Sequence, residues 1–376
     1  MRRRPAEKSS EVGDRGVVGA RTLLSASPVP PANYRIDKIL SRRGDAHGDV
    51  TVPAPFMKAI VVREFGPPEV MQDEDVELAG PTGTQVLVKV EVAGVNPVDT
   101  YLRSGIHAHA PNLPYTPGKD GAGIVESVGD GVTRFKPGDR VYTAGSVSGT
   151  YAEYSICDES HLGHLPDNVS FEEGAGVWTP YATSFRALFQ KAEVKAGETV
   201  LIHGASGGVE LAAVQWGKNA GLRVIGTASS EEGKQTALDN GADAVFDHTD
   251  DDHFSAIHEY TDRKGVEVII EMLANVNLER DFECLSMFGR IIVVGNRGSV
   301  EFTPRQAMTK DVTIFGMSLF NAGKEKLDAA HKAIGFGLAQ GFLKPSVGRS
   351  YQLSDAPTAH HEIINSQANG KIVLIP

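Results

Sequence analysis

Eleven residues, Thr199-Val200-Leu201-Ile202-His203-Gly204-Ala205-Ser206-Gly207-Gly208-Val209, hold the pattern with the most chemistry in this chain. A β-branched and apolar run leads into a cluster of small residues, and helical spacing follows in Leu211, Ala212, Val214, Gln215 and Trp216. The pattern predicts a strand, a tight turn and a helix N-terminus. Backbone N–H groups at such a turn, together with the positive end of the helix dipole, attract phosphate. Glycine is wanted there because a Cβ would hold the backbone away from the phosphate oxygens. Turns of this kind also serve as plain connections, so the flanking elements must decide between the two. Elsewhere His107 and His109 form a His-x-His pair, but no Cys or clear carboxylate joins them, and they read as loop residues. No Ser/His/Asp set and no nucleophile stand out, so no catalytic residue is assigned.

The composition narrows the setting for this turn. With 376 residues and 41% hydrophobic content, two domains and sizeable cores are expected. A net charge of −11 argues against a globally basic, nucleic-acid-binding surface. No apolar run approaches the roughly 20 residues that a membrane span needs. Cys157 and Cys284 stand in unrelated contexts, which excludes a disulfide framework and points to a reducing compartment, the cytoplasm. Residues 1–56 differ from the rest: ten Lys and Arg face six Asp and Glu, and Pro28, Pro30 and Pro31 break any periodicity. Disorder is expected there, as an extension before a natural start at Met57; the alternative is a mitochondrial transit peptide, against which Glu7, Glu11 and Asp14 count.

From Met57 the pattern predicts a small β-barrel, with strands at Lys58–Val62, Val86–Val95, 121–129 and Tyr151–Ile156, Gly/Pro turns between them, and a short helix over Val98–Arg103. Beyond Pro166 the period changes. Phe171–Gln190 is helical in spacing, and then strands alternate with helices. The strands are Thr199–His203, Arg223–Thr227, Ala244–Asp247, Val266–Glu271 and Ile291–Gly295; the helices lie near 208–220, 231–240, 254–261 and 278–286. This alternation implies an α/β fold with a doubly wound parallel sheet that binds ligand at the carboxyl ends of its strands. The glycine turn closes the first strand, where such a fold takes a dinucleotide. Helices over Lys324–Gln340 and Ala356–Asn365 and strands over Val347–Leu353 and Lys371–Ile375 are expected to return to the first domain.

Taken together, Ala93-Gly94-Val95-Asn96-Pro97-Val98-Asp99, Pro117-Gly118-Lys119-Asp120-Gly121-Ala122-Gly123, Lys136-Pro137-Gly138-Asp139-Arg140-Val141 and the glycine turn resemble the medium-chain dehydrogenase/reductase superfamily. Glu271-Met272-Leu273-Ala274-Asn275-Val276-Asn277-Leu278 and Gly289-Arg290-Ile291-Ile292-Val293-Val294-Gly295-Asn296-Arg297-Gly298 narrow the resemblance to its zeta-crystallin-like NADPH:quinone reductases. It spans Met57 to Pro376. The resemblance implies a GroES-like β-barrel catalytic domain split around a Rossmann domain, NADPH as cofactor and a homotetramer. The boundaries expected are 57–177 for the first catalytic part, 178–316 for the Rossmann domain and 317–376 for the return. The implied NADPH contacts are Tyr101, Ser206, Gly207, Gly208, Val209, His248, Asn277, Val294, Gly295, Asn296, Arg297, Met317, Ser318 and Leu319, with Ser229 where the family often has glycine.

The residues bear on the cofactor and the metal independently. NAD enzymes place an acid about 20 residues after the turn to bind the ribose 2′-OH. Here the second strand ends Ile225-Gly226-Thr227-Ala228-Ser229-Ser230 with no carboxylate before Glu231, and Lys234 is near to receive a 2′-phosphate unless it is a solvated helix residue. Zinc-dependent members carry Cys in the 94–99 turn and Gly-His-Glu in the second motif; this chain has Asn96-Pro97 and Gly118-Lys119-Asp120, so no metal is expected. Two cysteines cannot build a four-cysteine lobe. Without a Lewis acid, a readily reduced electrophile such as a quinone is the expected substrate. Asn96 and Tyr101 are the substrate-pocket candidates, as an amide and a phenol able to bind a quinone oxygen, unless Asn96 only makes the turn before Pro97.

Two other functions compete with quinone reduction. The same fold and cofactor serve reduction of α,β-unsaturated carbonyls or enoyl thioesters. The resemblance also implies a non-enzymatic role, in AU-rich RNA binding or as a lens crystallin. One residue departs from the family's turn, which continues Gly-Ala-Ser-Gly-Gly-Val-Gly: here the last position is Glu210. A carboxylate in the first helical turn is locally favourable but repels a pyrophosphate, so the side chain is expected either to point outward or to weaken binding.

Overall fold

The computed structural model describes residues 56–365 and 369–376. The expectations for residues 1–55 lie outside the described residues; Phe56, assigned to the extension, is the exposed first residue of a strand. That strand, β1 (Phe56–Val62), pairs antiparallel with β2 (Met71–Glu77). β2 escapes the sequence analysis because its residues, MQDEDVE, are mostly acidic: it is an edge strand whose outward positions face solvent. β3 (Gln85–Val95), α1 (Pro97–Arg103), β4 (Asp120–Val128), β5 (Arg140–Ala144), β6 (Tyr154–Asp158) and β7 (Leu162–His164) follow. β3 is the long centre of this sheet, pairing with both β4 and β6. α1 begins where it does because Asn96 and Asp99 form a capping box and Pro97 takes the first helical position, where its missing N–H costs nothing.

The expected helix over Phe171–Gln190 is divided. α2 (Phe171–Gly174) is capped by Ser170 and Glu173, α3 (Trp178–Phe185) follows, and Arg186–Lys191 forms a π-helical turn. Helical periodicity survives such breaks, which is why it did not reveal them. The widened turn keeps the Phe185 and Phe189 rings 5.0 Å apart and both against Trp216.

Then comes the alternating region: β8 (Thr199–Ile202), α4 (Gly208–Asn219), β9 (Arg223–Ala228), α5 (Glu231–Asp239), β10 (Ala244–Asp247), α6 (His253–Tyr260), β11 (Val266–Glu271), α7 (Ala274–Cys284), β12 (Leu285–Val293), α8 (Pro304–Lys310) and β13 (Thr313–Gly316). The strands form one parallel sheet in the order β10-β9-β8-β11-β12-β13. This is the expected doubly wound arrangement, with β8 central. Both of its faces are covered: Val200 and Ile202 join a core with α3 and α4, while Leu201 joins Phe254, Ile257 and Phe282 of α6 and α7. Each such buried aliphatic side chain contributes about 1.5–3 kcal/mol. α7 starts four residues earlier than expected, which places Asn277 within its first turn. α8 is a short surface helix with no buried residue, so it has no periodic signal to read.

The chain then returns through α9 (Lys324–Gln340), β14 (Val347–Gln352), α10 (Ala356–Asn365) and β15 (Lys371–Ile375). β15 pairs antiparallel with β3 and parallel with β14, so the last strand completes the first sheet. α9 bridges the two regions: its Ala330, Ile334 and Leu338 share a core with Val200 and Ile202 and also with Ala122 and Tyr142. No helix among the described residues is long and apolar enough to cross a membrane.

Lys371, the first residue of β15, is 4% exposed and carries its ammonium into the interior. Its Nζ donates to Asp120 Oδ2 at 2.9 Å and to Asn96 Oδ1 at 2.6 Å. Asp120 also accepts from Asn96 Nδ2, from Thr179 Oγ1 and from the Thr179 N–H. Four segments thus meet at one ion pair. Removing one partner of a buried pair leaves an uncompensated charge, a loss of about 3–5 kcal/mol. Lys371→Met is therefore expected to lower the unfolding free energy by that amount in urea titrations, and Lys371→Met with Asp120→Asn to recover more than half of it. A loss below about 1 kcal/mol in the single variant would show the pair to be structurally idle.

Candidate functional site

In a parallel sheet every strand ends on the same edge, so loops remote in sequence are brought together there. Ser206–Val209 follow β8, Ser229 follows β9, His248 follows β10, Asn277 lies in the helix after β11, Val294–Arg297 follow β12 and Met317–Leu319 follow β13. All the residues that the resemblance assigns to NADPH, apart from Tyr101, are on that edge. The sheet order changes direction between β8 and β11, and the crevice at such a switch point is where doubly wound sheets bind nucleotides.

Local contacts hold these loops in place. The Gly204 N–H donates to Thr227 Oγ1 at 3.0 Å, and His248 Nδ1 stands 3.3 Å from the same hydroxyl. Ser206 Oγ lies beside the N-terminus of α5, where Ser230 accepts from the Gly233 N–H. Gly295 has to be glycine, because a Cβ there would collide with the Met272 carbonyl. That close approach brings the loop after β12 against the loop after β11, and the Arg297 N–H donates to Asn275 Oδ1 at 2.8 Å. The Met317 N–H bonds to the Val293 carbonyl, which continues the sheet edge into Ser318 and Leu319. From the other sheet the lead-in to β15 arrives at the glycine turn, where Gly370 pairs with Gly207. At the turn, Gly207 is the N-cap of α4 and makes no side-chain cap, and a methyl on Gly208 would meet nothing nearer than Pro180 Cγ at 3.6 Å.

Lys234 does not face an empty space. It pairs with Glu231 at 2.7 Å and with Asp247 at 2.9 Å. Asp247 ends β10, in register with Ala228 at the end of β9. An acid therefore does stand beside the end of β9, supplied by the next strand, and it shares the Lys234 ammonium with Glu231. Two bonds from Thr249 and the one from Lys234 hold the Asp247 carboxyl well below the usual range.

A cleft of about 530 Å³ opens between the two halves of the chain. Tyr101, Ser104, Ile106 and His107 line it from α1 and the loop beyond, and Asn296 and Arg297 line it from the sheet edge. Tyr101 is thus brought together with two of the residues assigned to the cofactor. Asn96 is not. Its side chain is 3% exposed, and both ends of its amide are taken by Lys371 and Asp120, so it is a buried positioning residue and not a pocket donor. Burial was the deciding fact, and the turn motif alone does not contain it. His107 and His109 lie in the loop beyond α1, as expected, and their rings lie 5.3 and 5.7 Å from Phe320, just after Leu319, with Lys119 Nζ 5.6 Å from the same ring. Phe320, Ile106 and Lys119 were missed by the sequence reading. The pair of histidines beside an isolated apolar residue was the one signal available.

The cleft wall continues inward as a chain of hydrogen bonds. Arg103, which can only donate, gives one to His360 Nδ1 at 3.2 Å; His360 Nε2 then donates to the Tyr151 hydroxyl, which donates to Asp99 Oδ2. Burial, helped by the Arg103 charge, pushes the His360 imidazole down to about 3, so it is neutral, and burial pushes Asp99 up to about 6.

Below the glycine turn lies a second buried group. His203 Nε2 is 2.8 Å from Asp281 Oδ1 and 3.5 Å from Glu271 Oε2, all three side chains being closed to solvent. Glu271 in turn accepts from the Leu273 N–H and from Asn277 Nδ2, so the group orients Asn277. The ligand atoms of the three lie within 4.8 Å of one another, as in a metal-ligand set. Burial pushes Asp281 up to about 8 and Glu271 to about 7. Glu271 Oε2 and Asp281 Oδ2 have no hydrogen-bond partner, and a proton shared between the two carboxyls is expected to satisfy both. A folded carboxyl with a raised value holds a proton that the unfolded chain releases above about pH 4, so stability falls as pH rises through the folded value. Relative to Asp281→Asn, the native protein is expected to lose at least about 1 kcal/mol between pH 5 and pH 9 in urea titrations. A difference independent of pH would exclude the shared proton.

Comparison with known proteins agrees with this geometry. Residues 82–167 match the alcohol dehydrogenase GroES-like domain, and residues 208–334 match the family described as zinc-binding dehydrogenase. The quinone oxidoreductase of Homo sapiens is 47% identical over 322 residues, covering 85% of this chain and 98% of that protein. That of Rattus norvegicus is 49% identical over the same shares. The crystal structure of Escherichia coli quinone oxidoreductase complexed with NADPH superposes with a TM-score of 0.77 at 32% identity, covering 85% of this chain and all of that one. On the sheet order, the cleft and these likenesses, the chain belongs to the quinone oxidoreductase family of the medium-chain dehydrogenase/reductase superfamily.

Proposed function

We propose that the protein reduces quinones with NADPH in the cleft that Tyr101, Ile106 and His107 form with Asn296 and Arg297. The observation that carries this reading is the meeting of Tyr101, from α1, with the loop after β12, which the resemblance assigns to the cofactor. When bound, NADPH would supply the reducing equivalents, as a hydride or in one-electron steps, and protons from solvent would balance the charge on the reduced quinone. Tyr101 is placed to donate a hydrogen bond to a quinone oxygen. The Arg297 guanidinium, exposed at the same cleft, offsets the negative charge that grows on that oxygen. Ile106, 76% exposed, and Phe320, 42% exposed, offer apolar surface to a planar ring. The mouth faces solvent, so water delivers the proton.

Discrimination between NADPH and NADH follows from the Lys234–Asp247 pair. The ammonium offsets one of the two carboxylates it pairs with, and without it both Asp247 and Glu231 would repel a 2′-phosphate. The homotetramer implied by the resemblance is also proposed. It is supported by β13, which ends the six-stranded sheet with Ile314 exposed and pairs, among the described residues, with β12 alone.

The direct test follows NADPH consumption with an ortho-quinone, a para-quinone and an enoyl thioester in parallel. Turnover with quinones is expected, and turnover with the thioester alone would overturn the reading. Tyr101→Phe removes one hydrogen bond to the reacting oxygen and is expected to lower kcat/KM by about 5–30-fold. Lys234→Ala is expected to raise the NADPH dissociation constant about tenfold, with NADH changed by less than about threefold. Equal losses for both cofactors would place the 2′-phosphate elsewhere.

A further inference from the structure

Glu210 does not point outward. It stands in the first turn of α4, and its carboxyl carbon Cδ lies 2.9 Å from the position that a Cβ on Gly207 would take, with Oε2 closer still. The side chain has folded back over the glycine turn. There the carboxylate lies against the first turn of α4, where the backbone N–H groups of Glu210 and Val209 favour its charged form. The first four N–H groups of a helix have no partner within it, and these are the donors that a nucleotide phosphate takes. Gly207, at the N-cap, supplies no side-chain acceptor in competition.

We propose that the Glu210 carboxylate is an internal anion resting in the phosphate cradle, and that it must leave the Val209 and Glu210 amides before the cofactor's pyrophosphate can take them. The inference rests on the placement of the cofactor phosphates at Ser206–Val209. Binding is then an exchange of one anion for another, and each charge-assisted bond gained by the ligand is set against one lost by the protein. The displaced carboxylate also stays close to a negative ligand.

The exchange depends on pH, with a definite sign. Burial pushes the Glu210 carboxyl up to about 7, against the two amide bonds that favour its charged form. The neutral form accepts more weakly and does not repel a pyrophosphate, so cofactor binding favours it and takes up a proton. Affinity therefore rises as pH falls through neutrality. The charged groups on the elements packed around the turn are engaged with one another: Lys371, beyond Gly370, with Asp120; Lys234 on α5 with Glu231 and Asp247; His203, after β8, with Asp281 and Glu271. None of them contributes to the Glu210 shift.

The test measures dissociation constants of the full chain for NADPH, by nicotinamide fluorescence, and for 2′-AMP, by calorimetry, at pH 6 and pH 8.5. 2′-AMP carries the adenosine 2′-phosphate but no pyrophosphate. Glu210→Gly and Glu210→Gln are expected to tighten NADPH about tenfold at pH 8.5, to change it much less at pH 6, and to leave 2′-AMP unchanged. Glu210→Gln keeps the length of the side chain and so separates charge from any loss of helix stability. NADPH constants within twofold of native for both variants at pH 8.5, or an equal gain for 2′-AMP, would overturn the proposal. Gly208→Ala distinguishes the underlying placement: its methyl fits the free protein but meets a phosphate at this turn. Weaker NADPH binding in Gly208→Ala, without tightening in the Glu210 variants, would defeat the internal anion alone. Unchanged binding in Gly208→Ala would defeat both.

Discussion

The Lys371 ammonium is the point on which the geometry of the cleft depends. Its two acceptors, Asn96 and Asp120, come from opposite ends of the segment that carries Tyr101, Ser104, Ile106 and His107 of the cleft, and Lys371 itself comes from the last strand. Asn96 is also the N-cap of α1, so fixing its side chain fixes the helix that presents Tyr101 and Arg103. Asp120 reaches across to the Thr179 N–H and hydroxyl at the start of α3 and so ties the sheet of β3 and β4 to the helix that packs on α4. A buried charge without a partner is expensive, which makes this arrangement unique and not one of several. Asn96 and Asp120 belong to the motifs in which zinc-dependent relatives carry ligands, and here an internal cation engages both.

The other half of the site depends on strand direction. Because β8 to β13 are all parallel, six loops with no sequence relation share one edge. Each is secured by backbone contacts such as those of Gly295 on Met272 and Met317 on Val293, and not by side-chain anchors alone. Below them the His203, Glu271 and Asp281 group supports Asn277 from the interior. Its components lie 68 and 78 residues from His203 in sequence, and they meet because β8 and β11 are neighbours. Charges at this edge are held in pairs as well: Lys234 lies between Glu231 and Asp247, and the Glu210 carboxyl folds back over the first turn of α4.

The two walls of the cleft differ in rigidity. On the inner side Arg103, His360, Tyr151 and Asp99 form an unbroken series of donors and acceptors, with the histidine neutral and therefore a fixed link. On the outer side the exposed Ile106 and His107 line the cleft, and His107 in turn meets His109 and Phe320 through ring contacts. Hydrogen-bonded walls position a ligand's polar atoms, whereas ring contacts tolerate variation in its outline. That combination suits a class of planar electrophiles better than a single substrate.

The sequence by itself determined the periodicities, and with them the architecture. The unbroken apolar run of Thr199–Ile202, the glycines after it and the strand–helix alternation to Gly316 can be satisfied only by a sheet buried on both faces, with its loops collected on one edge. That Tyr101 and the loops assigned to the cofactor by resemblance would come together was legible because motifs preserve spacing. What only the tertiary structure decided was the state of the polar side chains. Asn96 looked like a free amide and is consumed by Lys371, which lies 275 residues away. Lys234 looked unpaired and meets an acid from the next strand. Glu210 was open to either solvent or the turn, and its carboxyl folds back over Gly207. The reason is physical: apolar burial is non-directional and follows from pattern, whereas a hydrogen bond or ion pair needs a particular atom within about 3 Å, and sequence spacing does not specify which distant residue supplies it.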